Sequence, residues 1–531
     1  MDDFGPLDRQ RNRREVNVAT ALWLGYARSV ATISRPYGGQ SRTSCLRFIV
    51  AVGSVAALLA GCASYKPAPL SPQESAAAIQ ARSLDDSRLQ KFVAVALAAE
   101  SRPAPRGESD EHFPWNLTTL TLAAVYYHPS LDIARSKLAE ARAAVITARQ
   151  IPNPSLSFEE LSYAPGVPAA SAWTVVPLIN FLIETAGKRG YRTKEANALI
   201  EAARADLATA SWQVRGRVRK ALLDLWAAQN RLALLHRQLD LQNELVTLLE
   251  HRLAAGAVSA LDVALERNSR NQSALHTQDV ARQVVEAQSE LAAALGIPLK
   301  ALGGIRLSFD AFEKPEQPSP EAAPGMLKDE ALLHRSDVQA LLAEYAAAES
   351  RLALQVANQF PNITLSPGYA YVAGQHQYWL LPATELPIFN QNQGPIAEAK
   401  ARRDEAAARF IALQTQVIAQ IDAGWARYRA VQSALKASEA LLADAWEREH
   451  RILRSYQAGE VDRPSLLVAE IERLSAEQSR LDTIVQSHQA LGDLEDALQH
   501  PFFGPALPIN SETNPRLARN DALQEQSLAH Q

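Results

Sequence analysis

Cysteine, methionine and aromatic residues are scarce in this chain of 531 residues, and each scarcity closes off a class of function. The two cysteines, Cys45 and Cys62, both lie near the N-terminus, so the body of the chain has neither a disulfide framework nor a thiolate metal site. Two methionines and eleven scattered histidines supply no metal-binding cluster. No HExxH, CxxC or GxSxG arrangement occurs, so neither enzymatic chemistry nor a resident cofactor is expected. Gly187-Lys188 resembles the end of a phosphate loop. Leu182, however, stands where the upstream glycine belongs, and Arg189 where Ser or Thr should follow. A net charge of -4 offers no basic surface to nucleic acid. His128 and His334 open corresponding helices and read as caps or surface residues rather than as ligands.

What remains is helix. Apolar residues make up 47% of the chain but aromatics only 6%, the usage of long packed helices rich in Ala, Leu, Glu, Arg and Gln. Near the N-terminus, Arg42 and Arg47 precede an apolar run, Phe48 to Ala60, that is too short to span a bilayer and ends Leu59-Ala60-Gly61-Cys62. This pattern resembles a lipoprotein signal peptide. It implies cleavage before Cys62, with S-diacylglycerol and N-acyl modification of that residue; the alternative is a free cysteine after a short apolar helix. Ala63 follows in place of an acidic inner-membrane retention residue. The residues ahead of Arg42 are too many for such a leader. A start downstream of Met1 is therefore expected, at a codon translated here as another residue, because the only other methionine is Met326.

From Asn116 the chain is helical in pattern for hundreds of residues, and its second half repeats its first. An offset of 209 places Ala134 on Ala343, Glu140 on Glu349, Gln150 on Gln359 and Pro152-Asn153 on Pro361-Asn362. An offset of 203 places Glu195-Ala196 on Glu398-Ala399 and Ala255-Gly256 on Ala458-Gly459. Each repeat reads as helix, two strands, very long helix, turn, helix. In the first, the helix from about Leu131 stops at Ile151-Pro152-Asn153-Pro154, where proline cannot continue it. Trp173, Val175, Pro177, Ile179, Phe181 and Ile183 then alternate with other residues, the period of a strand with one face on lipid. Ile363, Leu365, Tyr369, Tyr371, Tyr378 and Trp379 supply the second pair of strands, aromatic enough for a membrane girdle. The same pattern also fits a soluble antiparallel sheet.

Between Tyr191 and Ala255 there is no proline, and Val218, Leu225, Leu232, Leu239, Val246 and Leu253 recur every seventh residue. At ~1.5 Å per residue such a helix runs on the order of 100 Å, far beyond a globular core. If the four strands are transmembrane, their backbone must pair in a closed barrel, which one chain cannot close. Two copies give a filled barrel of eight strands, whereas three give twelve and leave a lumen.

The organisation from about Trp115 to Leu498 resembles the TolC-type outer membrane factor family. The segments Ile183-Glu184-Thr185-Ala186-Gly187-Lys188-Arg189 and Leu386-Pro387-Ile388-Phe389-Asn390-Gln391-Asn392-Gln393-Gly394-Pro395 resemble its cobalt-zinc-cadmium branch. The resemblance implies a homotrimer in the outer membrane, with a twelve-stranded barrel continued by a long α-helical barrel in the periplasm. It also implies a periplasmic membrane-fusion adaptor and an inner-membrane RND pump as partners, with heavy-metal export through the branch. A multidrug duct, or a periplasmic coiled-coil spacer or adaptor lipoprotein, are the rival readings. The expected division is an N-terminal extension and leader (1–61), a lipid-anchored tether with a short helix (62–114) and the first efflux repeat (115–295). A midsection linker (296–330), the second repeat (331–500) and a tail (501–531) complete it.

Two turns at the far ends of the long helices are the candidate functional positions. Gly256 ends one helix and Ser259 is suited to cap the next; Gly459, Glu460, Asp462 and Arg463-Pro464 form the second turn. By resemblance, Gly256, Leu261, Gly459 and Leu466 contact the adaptor. Glu460 and Asp462 are candidates for an acidic ring at the periplasmic aperture, although Arg463 is placed to neutralise Asp462. Read from the residues alone, the glycines are helix C-caps and the acids a solvated tip.

Overall fold

The computed structural model describes residues 65, 67–99, 114–163, 173–313, 324–372 and 375–502. Cys62, the 1–61 extension and the tail beyond Phe502 lie outside the described residues. The chain divides after Pro72 into two units. In the first, the described residues Tyr65 and 67–71 carry no regular structure.

The second unit is a wall of helices with one small sheet. After α1 (Pro72–Gln80), α2 (Ser87–Ala99) and α3 (Leu117–Tyr127) come α4 (Pro129–Arg149), β1 (Ser155–Tyr163), β2 (Trp173–Ile183), α5 (Lys188–Ala254) and α6 (Ala260–Leu295). A connection carrying α7 (Asp310–Glu313) and α8 (Pro324–His334) leads to α9 (Ser336–Ala357), β3 (Ile363–Val372), β4 (Gln375–Thr384), α10 (Gln393–Gln457) and α11 (Arg463–Leu498). The order helix, strand, strand, long helix, helix thus occurs twice. The helices have 21, 67 and 36 residues on the first pass and 22, 65 and 36 on the second.

The lengths follow from packing. Both α4 and α6 lie along α5, and both α9 and α11 lie along α10 and α5. In each stack the shorter helix and the 36-residue helix meet end to end beside an unbroken long helix. The heptad residues of α5 serve this contact: Val218, Leu225 and Val246 are buried, and Leu232, Leu239 and Leu253 half-buried.

At the first meeting point α6 ends in a Schellman turn. Gly296, at φ +72°, donates to Ala293 O, and Ile297 donates to Ala292 O. A Cβ on Gly296 would lie 3.1 Å from Tyr127 O, so the end of α6 abuts the start of α4. There His128 caps α4, its ring accepting from Ser130 N. Arg82 seals the joint, with one guanidinium nitrogen donating to Tyr127 O at 3.0 Å and to Gly296 O at 2.7 Å. The segment expected as a tether with a short helix carries two helices and packs into the wall: Leu84, Leu89, Phe92, Val93 and Leu97 join the core formed with α3 to α6.

At the second meeting point α11 also ends in a Schellman turn, but the left-handed residue is Gln499, at φ +49°. Its side chain explains the exception. Gln499 Oε1 accepts from Ser336 N at 2.8 Å and from Ser336 Oγ at 2.6 Å, satisfying the first turn of α9. Arg335 bonds Ala497 O, as Arg82 bonds Gly296 O. His334 is exposed at the end of α8, next to this joint.

The connection from α6 to α9 docks through Phe312. Its ring packs against Trp226 of α5 and His488 of α11, and the His488 ring donates to Phe312 O from 3.2 Å. Burial holds His488 neutral, with its pKa pushed down to about 4.

The Gln499 exchange of backbone strain for two hydrogen bonds is testable by thermal unfolding. Gln499→Ala keeps the left-handed strain and loses both bonds, so it should melt below wild type. Gln499→Gly loses the bonds but removes the strain, and should recover about 1 kcal/mol relative to the alanine variant.

Candidate functional site

The sheet is antiparallel in the order β1-β2-β3-β4, with β2 paired to β3 across the two passes. Its strands have 9, 11, 10 and 10 residues, about the length of a transmembrane β-strand. The register sorts the side chains onto two faces. One face carries Leu156, Phe158 and Leu161 from β1, Val175, Pro177, Ile179, Phe181 and Ile183 from β2, Ile363, Leu365, Tyr369 and Tyr371 from β3, and Tyr378 and Leu380 from β4. Aromatic residues gather at its end remote from the helices. Tyr369 lies 5.4 Å from Tyr378, and the Tyr371 ring 5.2 Å from His376. Much of this face is bare: Leu156, Phe158, Leu161, Tyr378 and Leu380 are all more than half exposed.

The other face has a polar row across three strands. Asn180 Nδ2 donates to Ser157 Oγ at 3.0 Å, and Ser366 Oγ donates to Asn180 Oδ1 at 2.7 Å. Trp379 stands on this face above Gly368, where a Cβ would lie 2.5 Å from the indole. Among the described residues, no helix is long and apolar enough to cross a membrane.

At the corners where strands meet helices, the two passes clasp each other. Lys188, buried at the start of α5, donates from Nζ to Phe360 O at 2.6 Å and to Asn362 Oδ1 at 2.7 Å. Thr185 Oγ1 donates to Pro361 O at 2.7 Å. Gly187 and Asn392 are the left-handed N-caps of the two long helices, at φ +69° and +64°. Pro395 falls in the first turn of α10, where a missing N–H leaves no bond unmade.

Midway along the wall, Arg215 donates from two nitrogens to Glu495 Oε2, both at 3.1 Å, and Arg219 sits 3.6 Å from the same oxygen. Glu495 is 3% exposed, and its second oxygen accepts from Phe502 N. Gly492 leaves the space for Arg219, since a Cβ there would fall 1.7 Å from the guanidinium.

At the far end, the two helix turns are built alike and dressed differently. Gly256 (φ +70°) and Gly459 (φ +77°) each form a Schellman turn. Ser259 caps α6 in a capping box with Asp262, and Asp462 caps α11 by accepting from Ser465 N at 3.1 Å. These caps set the true correspondence of the tips: Val263 matches Leu466, both buried, whereas Leu261 matches Pro464 and is 67% exposed. Leu466 therefore packs inside its own hairpin, while Leu261, Gly256 and Gly459 face outward.

Asp462 is neutralised by a different residue from the expected one. Arg252, at the end of α5, donates to Asp462 Oδ2 at 2.6 Å, joining the two tips. Arg463 turns instead to Glu244 of α5, at 2.7 Å, and to Glu470, at 3.1 Å. The Ser465 hydroxyl, Arg252 and the Ser465 N–H together hold the Asp462 carboxyl down to about 2. Glu460 is exposed, with its backbone N–H closing the turn on Ser455 O. The cross-tip pairs join residues more than two hundred positions apart, and only the matching of caps between passes could have pointed to them.

Comparison with known proteins comes from the same elements. Residues 123–297 match the outer membrane efflux protein family. The cobalt-zinc-cadmium resistance protein CzcC of Cupriavidus metallidurans is 26% identical over 285 residues, 53% of this chain and 65% of that one. The pyoverdine export outer membrane protein OpmQ of Pseudomonas aeruginosa is 30% identical over 234 residues, 42% of this chain and 46% of that one. The chain thus spans less than two thirds of the length of these curated relatives. Among solved structures, the outer-membrane channel OprN superposes with a TM-score of 0.61 at 21% identity, covering 83% of this chain and all of that one. The chain shares the fold of that channel.

Two substitutions separate the roles of Asp462. Asp462→Asn keeps an acceptor for Ser465 N but releases Arg252. Asp462→Ala loses the cap as well, at a cost of ~1 kcal/mol. Amide exchange at Ser465 should accelerate in the alanine variant and stay near wild type in the asparagine variant. Because the folded pKa is lowered, the carboxylate's contribution is complete above about 4, the unfolded value, and is lost as pH falls toward about 2.

Proposed function

With residues 123–297 an outer membrane efflux protein domain on a TolC-type channel fold, we propose that this chain is the exit duct of a tripartite efflux system. The reading rests on one observation, a four-stranded sheet of bilayer length with a bare apolar face and, among the described residues, two unpaired edges, β1 and β4. In hydrocarbon those edges must be paired, and no open sheet can do so. Three copies joined β4 to β1 close twelve strands around a lumen lined by the Asn180 face. The apolar face then meets lipid, with Tyr369, Tyr371 and Tyr378 at the interface. The helical wall continues the tube into the periplasm.

In this reading Cys62 carries the acyl anchor, the tips at Gly256, Leu261 and Gly459 meet a membrane-fusion adaptor, and an RND pump supplies the cargo. Leu466 acts from inside the hairpin, as support for the tip. The cargo class we favour is heavy-metal cations, supported by the likeness to CzcC and by the two corner segments. An organic cargo is the second reading, favoured by the higher identity to OpmQ. A periplasmic spacer would have no use for the apolar sheet face.

Deletion of the gene, with tolerance to zinc, cadmium, cobalt, copper and lipophilic antibiotics as readout, tests the assignment. Metal sensitivity restored by the intact chain, and less well by Cys62→Ser, is the expected outcome. Sensitivity to antibiotics alone would move the duct to a multidrug pump, and no sensitivity of either kind would refute it.

The Glu460 carboxylate has no partner among the described residues; tripled in the trimer, a ring of such charges concentrates cations at a mouth. Glu460→Gln should lower the cation preference of the reconstituted channel. Asp462→Asn should instead raise its open probability, by releasing Arg252.

A further inference from the structure

The corner that follows β4 leaves a large apolar surface bare. Phe389 is 99% exposed, Leu386 72% and Ile388 69%, all within the eight residues between β4 and α10. Ahead of β1, at the same end of the sheet, Ile151 is 67% exposed. A fully exposed phenylalanine beside two aliphatic residues costs free energy in water, so something covers it.

The other pass shows what. Inside one chain, the corner after β2 is closed by the segment ahead of β3: Lys188 and Thr185 reach the carbonyls of Phe360 and Pro361 and the Asn362 amide oxygen. Phe360-Pro361-Asn362 corresponds to Ile151-Pro152-Asn153, which shares its Pro-Asn pair. Among the described residues, no donor reaches the carbonyls of Ile151 and Pro152 or the Asn153 amide oxygen. Matching the left-handed caps Gly187 and Asn392 puts Gln393 in the place of Lys188 and Asn390 in that of Thr185. Both amide oxygens are used locally, Gln393 Oε1 accepting from Gln391 N and Asn390 Oδ1 from Asn392 N. Their NH₂ groups have no partner among the described residues. One corner therefore holds spare donors and the other spare acceptors, at the two edges of the sheet that this chain does not pair.

We propose that the corner 386–393 clasps residues 151–153 of a second copy of this chain, repeating between subunits the contact that Lys188 and Thr185 make within one. The proposal rests on the barrel reading above. Asn390 and Gln393 donate to the second copy, while Leu386, Ile388 and Phe389 pack on its exposed Ile151. The in-chain corner uses Glu184, Lys188 and Arg192, whereas the intersubunit corner carries only Glu385 among its charges. Apolar contact with neutral donors suits a joint that two separate chains must find and desolvate.

Crosslinking of the full chain, with Cys45 and Cys62 left in place and the otherwise unmodified chain as the uncrosslinked control, tests it. Ile151→Cys with Phe389→Cys, treated with a bismaleimide in membranes, should give covalent dimers and trimers on a denaturing gel. Each single variant should stay monomeric, because the contact is head to tail. Ser155→Cys with Thr384→Cys reports the β1–β4 edge separately. If the edge pair links and the corner pair does not, the clasp is wrong and the barrel stands; if neither links, the barrel reading fails with it. As a second measurement, Phe389→Glu should cut the yield of heat-resistant trimers by about tenfold or more, since the carboxylate would be buried unpaired. An unchanged yield would overturn the clasp.

Discussion

A helix that stops inside a packed wall leaves up to four carbonyls or amides without partners, and this wall stops a helix at mid-height on both passes. Everything else in the architecture is arranged around those two joints. The long helices α5 and α10 need no such device because they run past the joints unbroken. The shorter helices must be capped against each other. At one joint glycine turns the chain and an arginine from the N-terminal segment takes up the spare carbonyls; at the other a glutamine accepts a strained backbone so that its side chain can bridge the gap. An arginine serves both joints because its fork can reach two acceptors while its stem packs among apolar neighbours. The docking of Leu84 to Leu97 follows from the same need, since Arg82 must be held over Gly296.

The joints also decide where charge is buried. Arg215, Arg219 and Glu495 lie where α5 crosses the end of α11, just before the second joint. Removing one member of such a buried group leaves the others uncompensated, at a cost of ~3–5 kcal/mol, so the crossing is held in one register. Toward the tips the pairs between passes become solvent-exposed, as with Arg252 and Asp462. Exposed pairs of that kind contribute ~0.2–1 kcal/mol each. The wall is therefore fixed at its middle and lightly tied at its far end.

Much of this was legible in the sequence. The heptads of α5, the stop at Pro152, the strand from Trp173 to Ile183 and the two glycine turns all follow from local chemistry, and the structure has each of them. What was not legible depends on pairs far apart in the chain. Arg82 on Gly296 joins residues 214 positions apart, and Arg252 on Asp462 joins residues 210 apart. The family resemblance makes Leu466 an adaptor contact, yet its side chain is buried within this chain. The caps show that its counterpart is buried Val263, and that Leu261 alone reaches the surface. A repeat offset aligns residues, but only cap geometry says which way each one faces.

The two passes differ most where their tasks differ. Their long helices, joints and turns are near copies, because helix packing poses the same problem twice. Their strand corners have separated. One corner meets a segment of its own chain, already nearby once the sheet has paired, and can use a buried lysine whose desolvation is offset by two fixed acceptors. At the other corner Asn392 Nδ2 donates to Gln355 O at 2.6 Å, and in the clasp proposed above the remaining amide donors, of Asn390 and Gln393, are taken up by a second chain. An ammonium there would be hydrated in the free chain and would have to shed its water on association, a cost that neutral amides and apolar side chains largely avoid. The exposed Phe389 and, among the described residues, the unpaired edges of β1 and β4 are the features from which the proposed contact with a second copy is argued.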